Sequence, residues 1–175
     1  MKIIMVAAIS KDGFLTRGVD SNVSAWTSAE DKEFFAKIKS EHSLYIMGRK
    51  TYESADILPQ PGILRVVMTR FPEKYRDLAV TNQLEFTDMS ANEIYKKYND
   101  SYNSCLLLGG GEIYEDFLNN NLIREIYLTV EPINHKSGTR MLPSGKKLSD
   151  ILVGVIPEIS IMNTKGTKLL HYLIK

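Results

Sequence analysis

The chain is poor in the features that would set it apart from an ordinary water-borne globular protein. It has one cysteine, Cys105, so an intramolecular disulfide is impossible, and its "SCLLL" setting reads as a small buried hydrophobe in a reducing compartment. It has no charge excess. The 22 Lys and Arg are interspersed with 21 Asp and Glu for a formal net charge of +1, which argues against nucleic acid or a large acidic partner. It has no long apolar run: "MKIIMVAAIS" is short, meets Lys11 and Asp12, and carries no A-x-A pattern, so it reads as a first core strand, not a membrane span or export signal. The three histidines, at 42, 135 and 171, are scattered outside ligand spacing, and no metal site is expected. The H-x-E and P-C-x-x-C signature of a zinc deaminase is missing too. With no internal repeat, low-complexity tract or linker, residues 1–175 are expected to form one cytoplasmic domain.

What is present is an alternation. Short apolar runs at 3–9, 44–48, 64–69, 105–110 and 125–133 are separated by segments with helical spacing, clearest at 28–39, 90–98 and 112–119. This predicts an α/β fold with a twisted, mostly parallel sheet and flanking helices. The end differs: "EISIMNT", Lys-Gly and "TKLLHYLIK" predict a C-terminal antiparallel hairpin with a tight turn at the sheet edge.

In "AWTSAEDKEFF", Thr27 or Ser28 followed by Glu30 or Asp31 has the spacing of a capping box. At about 100° per residue, Asp31 falls on the helix face that carries Phe34, Phe35 and Ile38. Helix geometry alone leaves two roles for this acid. It can complement the helix N-terminus, or it can be a buried carboxylate that must pair, hydrogen-bond or raise its pKa. Trp26, five residues earlier, can be an ordinary core aromatic.

Glycine marks two strand ends. "CLLLGGGEIYEDFL" is an apolar strand, three glycines and an amphipathic helix, which would let a cofactor approach the backbone and meet the free amides of a helix start. It is neither G-x-G-x-x-G, since Tyr114 stands at the third glycine, nor a P-loop. A tight strand-to-helix turn explains it equally well. "LYIMGRKTYES" repeats the form: Gly48 ends a strand, Arg49 and Lys50 bring charge, and Thr51 is a candidate cap for a short helix. A third strand end carries Thr69 and Arg70. Each cation alone reads as a solvated surface charge, but three such ends together suit a dinucleotide at the carboxyl edge of a sheet.

The combination of "MVAAIS", "AWTSAEDKEFF", "IMGRKTYES", "LLLGGGEIYEDFL" and "IYLTVEP", in that order, resembles the dihydrofolate reductase superfamily. The resemblance implies NADPH-dependent hydride transfer to a pterin, with 7,8-dihydrofolate as the expected substrate and tetrahydrofolate as product. It implies Asp31 as the acid that holds the pterin and assists protonation, and Thr129 as the hydroxyl supporting it. Val6, Ala8, Trp26, Phe35 and Leu108 would line the substrate pocket. Gly48, Arg49, Lys50, Thr51, Thr69 and Arg70 would meet the cofactor phosphates, while Ala8 and the stretch Gly109, Gly110, Gly111, Glu112, Ile113, Tyr114 would complete the cofactor site, with Gly111 and Tyr114 near its nicotinamide side. Gly109 and Gly110 resemble the family's pair joined by a cis peptide.

Two departures matter. Folate reductases usually carry, after "LPG", an arginine that grips the folate glutamate; here "LPQPGILRVVMTR" has Ile63, leaving Arg65 or a shifted loop to replace it. "AISKDGFLT" and the longer interval before Trp26 are more similar to the related reductase of riboflavin synthesis, which reduces a ribosylaminopyrimidine phosphate. The alternatives are therefore that pyrimidine reductase, or a non-catalytic NADPH-binding protein. A monomer and a homodimer are both compatible with the chain.

Overall fold

The computed structural model describes residues 1–18, 25–55 and 57–175. Its centre is one eight-stranded sheet built from β1 (Lys2–Ser10), β2 (Leu44–Gly48), β3 (Leu64–Met68), β4 (Leu84–Thr87), β5 (Ser104–Leu107), β6 (Ile123–Glu131), β7 (Glu158–Ile161) and β8 (Lys168–Leu173). The spatial order is β4-β3-β2-β5-β1-β6-β8-β7. The first six are parallel, whereas β8 runs antiparallel to β6 and to β7. The α/β reading and the edge hairpin are both found.

The buried strands read as continuous apolar runs because both faces of the sheet are covered. Alternate residues serve opposite faces. Ile3, Met5 and Leu107 pack with Phe117 of α4 (Gly111–Asn119) and Ile94 of α3 (Ala91–Tyr98), while Ile4, Val6, Tyr45 and Met47 pack with Ile38 of α1 (Ala29–Ser40). Phe117 is wholly buried, and truncating such a side chain to Ala costs about 3–5 kcal/mol.

Several local expectations are corrected. At α1 the Ser28 hydroxyl does accept the Asp31 amide at 3.3 Å, but the box is not reciprocal, because the Ser28 amide turns away to Glu131. Thr51 does not cap a helix: Gly48 is the N-cap of α2 (Arg49–Ser54), and Thr51 lies within it. β5 ends at Leu107, so Leu108, Gly109 and Gly110 form the bend that leads into α4. The hairpin connection is longer than a Lys-Gly turn; the Asn163 side chain accepts the Lys165 and Thr167 amides and holds the loop. The edge-side strand β4 and the 3-10 helix Pro72–Leu78 carried no clear sequence signal, being short and of mixed polarity. The interval before Trp26, residues 19–24, lies outside the described residues.

The topology decides where the site sits. The chain moves outward from β1 through β2, β3 and β4, then returns to insert β5 between β2 and β1 before β6 forms on the other side of β1. Neighbouring connections leave in opposite directions, which opens a crevice beyond the carboxyl ends of these strands.

Candidate functional site

A cleft of about 1550 Å³ opens at that edge. Most residues singled out from the sequence line it: Val6 and Ala8 from β1, Asp31 and Phe35 from α1, Gly48, Arg49, Lys50 and Thr51 from β2 and α2, and Thr69 and Arg70 after β3. Leu108, Gly110, Gly111, Glu112, Ile113 and Tyr114 come from the bend and α4. Trp26, Gly109 and Thr129 do not face it.

Asp31 is only 8% exposed. Burial pushes its carboxyl above the ordinary value of 3.8, and the negative charge of Glu131 adds to this; hydroxyls of Thr129 and Thr27 donate to it and, with the Lys32 ammonium, oppose the rise. Thr129 is itself buried in β6, where its hydroxyl meets the acid and not the cleft. Trp26 packs edge-on against His135, ring centroids 4.6 Å apart, and its Nε1 has no hydrogen-bond partner among the described residues.

The glycines divide their work. Gly109 has φ +89°, and a Cβ there would lie 2.8 Å from the Tyr114 ring, so the position excludes side chains from beneath. Its carbonyl accepts the Gly48 amide at 2.6 Å, which ties the end of β2 to the bend after β5. The Gly109–Gly110 peptide is cis. A Cβ on Gly110 would meet only Thr51 Oγ1, at 3.6 Å. Gly110 is also the N-cap of α4 and supplies no side-chain cap; its carbonyl takes the Ile113 and Tyr114 amides, which leaves those of Gly111 and Glu112 for another acceptor. Tyr114 is locked from below by its hydroxyl, which donates to the Val6 carbonyl at 2.6 Å.

The cations differ in availability. Arg49 is already paired with Glu53 at 2.5 Å, and Glu53 also accepts the Tyr75 hydroxyl. Lys50 and Arg70 are exposed. Ile63 packs with the apolar cluster under α1 and does not line the cleft. Arg65, two residues on and inside β3, does: it is buried, Nη2 donates to Gln60 Oε1 at 3.3 Å, and Nη1 has no partner among the described residues. Lys39 lines the same wall, and burial together with the Arg65 charge lowers its pKa.

Sequence reading missed Lys39, Tyr45 and the 138–143 segment, whose Gly138, Thr139, Arg140 and Pro143 also line the cleft. A Cβ on Gly111 would meet the Arg140 carbonyl at 2.7 Å, so this segment is seated directly on the start of α4. Nothing in its spacing signals that, because the contact joins distant parts of the chain.

A mostly parallel sheet with a cleft at its switch point, glycine-lined on one side and holding a buried acid on the other, has the form in which open α/β sheets bind their ligands. The chain belongs to the dihydrofolate reductase family, whose sequence model, Dihydrofolate reductase, matches residues 2–147. It is 32% identical over 139 residues to a Caenorhabditis elegans protein whose name assigns it provisionally to dihydrofolate reductase, covering 73% of this chain and 70% of that one. Among solved structures, a pyrimidine reductase-like protein of Corynebacterium diphtheriae superposes with a TM-score of 0.72 at 13% identity, covering 99% of this chain and 92% of the other. A provisionally named riboflavin biosynthesis protein of a Shewanella species gives 0.71 at 19%, covering 100% and 99%. These structural likenesses establish the shared fold. No helix among the described residues is long and apolar enough to cross a membrane.

Proposed function

We infer that this chain is an NADPH-dependent reductase that transfers a hydride to a pterin, with 7,8-dihydrofolate as substrate and tetrahydrofolate as product. The observation that carries the reading is Asp31, a buried carboxylic acid of raised pKa in the wall of a cleft whose other wall is backbone glycine. The fit to a dinucleotide rests on Gly110, where the wall carries no side chain, on the uncapped α4 amides beside it, and on Lys50, Thr51, Thr69 and Arg70 along the same edge. When bound, the nicotinamide cofactor supplies the hydride.

The residues of the chain do the rest. Val6, Ala8, Phe35 and Leu108 offer apolar walls that hold a flat ring and exclude water. Asp31, kept protonated to higher pH than an exposed aspartate, hydrogen-bonds the ring and provides the proton that must accompany hydride addition to an imine. Thr129 orients that carboxyl.

A second reading, reduction of a ribosylaminopyrimidine phosphate, is favoured by Ile63 standing where a folate-gripping arginine would be, and by Arg65 with Lys39 deeper along the same wall. The test is NADPH oxidation followed by absorbance, with dihydrofolate and the pyrimidine offered separately to the native chain and to Asp31→Asn. Turnover of dihydrofolate that collapses in the variant supports the first reading. Turnover of the pyrimidine alone replaces it with the second, and NADPH binding without turnover makes the chain a non-catalytic binder.

A further inference from the structure

β6 carries a second buried carboxylate, bonded to the start of the helix that holds Asp31. Glu131 lies two residues after Thr129, so both point to the same face of the strand, and it is only 4% exposed. An apolar side chain would suit the packing there better unless the charge is used, since an unpaired buried carboxylate is costly. Both of its oxygens are engaged, and by different parts of the chain. Oε1 accepts the Ser28 amide at 2.7 Å, the N-cap amide that α1 cannot satisfy from within. Oε2 accepts the Thr167 hydroxyl at 2.7 Å, from the residue just before β8.

The hairpin reaches α1 a second time. Asn163 Nδ2 donates to Thr167 Oγ1 at 3.0 Å and to Glu30 Oε2 at 2.9 Å, on the first turn of the helix. Ser28, held by Glu131, in turn accepts the Asp31 amide. The last forty residues of the chain thus touch the turn that carries the acid through two hydrogen-bonded routes, one by Thr167 and Glu131 and one by Asn163 and Glu30, joined to each other through Asn163.

We propose that Glu131 is a positioning residue for Asp31: it anchors the start of α1 to the C-terminal hairpin and brings a second carboxyl group to the turn that carries the acid, so that the hairpin sets where the acid stands. The proposal rests on Asp31 being the proton source of the reading above. The charges acting on Asp31 are Glu131 from β6 and Lys32 from its own helix. Glu30 beside them faces Asn163 and Lys165 of the hairpin.

Two variants separate charge from tether. Glu131→Gln keeps an oxygen for Ser28 and removes the carboxylate, and Thr167→Val keeps the carboxylate and cuts the Glu131 link to the hairpin, leaving the Asn163–Glu30 bond in place. Carboxyl carbon NMR of Asp31, titrated in the whole chain, is expected to show a midpoint about one pH unit lower in Glu131→Gln than in the native protein. The pH limb of kcat should move by the same amount while the KM for NADPH stays unchanged. In Thr167→Val, hydrogen exchange at the Ser28 amide should quicken about tenfold. A native Asp31 midpoint in Glu131→Gln overturns the charge role, and native exchange with native kcat in Thr167→Val overturns the tether. If Glu131→Gln does not fold, the valine variant decides alone. Absence of turnover in the native chain, with the NMR shift intact, counts against the reductase reading and not against the coupling.

Discussion

The hydroxyl of Tyr114 donates to the carbonyl of Val6 at 2.6 Å across 108 residues of sequence. One residue belongs to the helix that follows the glycines, the other to the central strand β1 on the opposite side of the cleft. The pairing of β1 with β5 ends at Met5 and Leu107, so this bond begins where the ladder stops and holds the two walls of the cleft together.

Tyr114→Phe removes that donor and leaves a buried carbonyl unpaired. A loss of about 1–3 kcal/mol is expected, which a thermal melt would register as a fall of roughly 2–4 °C per kcal/mol for a chain of this size. A melt unchanged from native would mean that the carbonyl finds another donor.

Gly109→Ala and Gly110→Ala should separate folding from binding. The first places a methyl 2.8 Å from the Tyr114 ring at a positive φ and should lower stability. The second meets only Thr51 Oγ1, at 3.6 Å, and should melt close to native while losing NADPH affinity. Native affinity in a folded Gly110→Ala chain, measured by calorimetry, would remove the cofactor from this wall.

Asp31→Asn should cost activity and add stability. Because burial raises the carboxyl above 3.8, the folded chain keeps a proton that the unfolded chain has lost. The stability tied to the protonated acid is present at low pH and declines as pH rises through the folded value. Asparagine removes the decline, so at neutral pH the variant is expected to melt above the native protein while kcat falls about 10²- to 10⁴-fold. A lower melting temperature at neutral pH would show that the ionised carboxylate is structurally needed.

Glu125 gives the opposite pH dependence. Burial works to raise its carboxyl, but the Lys2 ammonium, the Tyr127 hydroxyl at 2.7 Å and the His171 ring at 2.6 Å outweigh it and hold the pKa below 4.5. Its contribution is present above pH 4.5 and lost as pH falls through the folded value. Melting curves of Glu125→Gln should therefore lie below native at neutral pH and converge with it on acidification; parallel curves would contradict the assignment.

Arg65→Gln should raise the KM of an anionic substrate about 10- to 100-fold with little change in kcat, because it removes a charged donor that has an unused nitrogen in the cleft wall. Steady-state kinetics with the native substrate distinguish this from a general loss of folding, which would lower kcat instead.

Much of this molecule was legible in its sequence because the determining signals are local. Period-two and unbroken apolar runs marked β1, β2, β3 and β6, a 3.6-residue period put Asp31 on the buried side of α1, and paired glycines located the wall of the cleft. These depend on neighbours a few residues apart, and the chain carries them wherever it folds. The strand order, the insertion of β5 between β2 and β1, and the reach of Glu131 to Ser28 on one side and Thr167 on the other depend on segments tens of residues apart. So does the cleft position of Arg65 and Lys39, since a cation's neighbours, not its identity, decide whether it is a solvated charge or part of a binding wall. Local propensity determined which residues form strands, helices and bends; burial and charge across the sheet decided which of them became a site, because desolvation and Coulomb forces act through space and not along the chain.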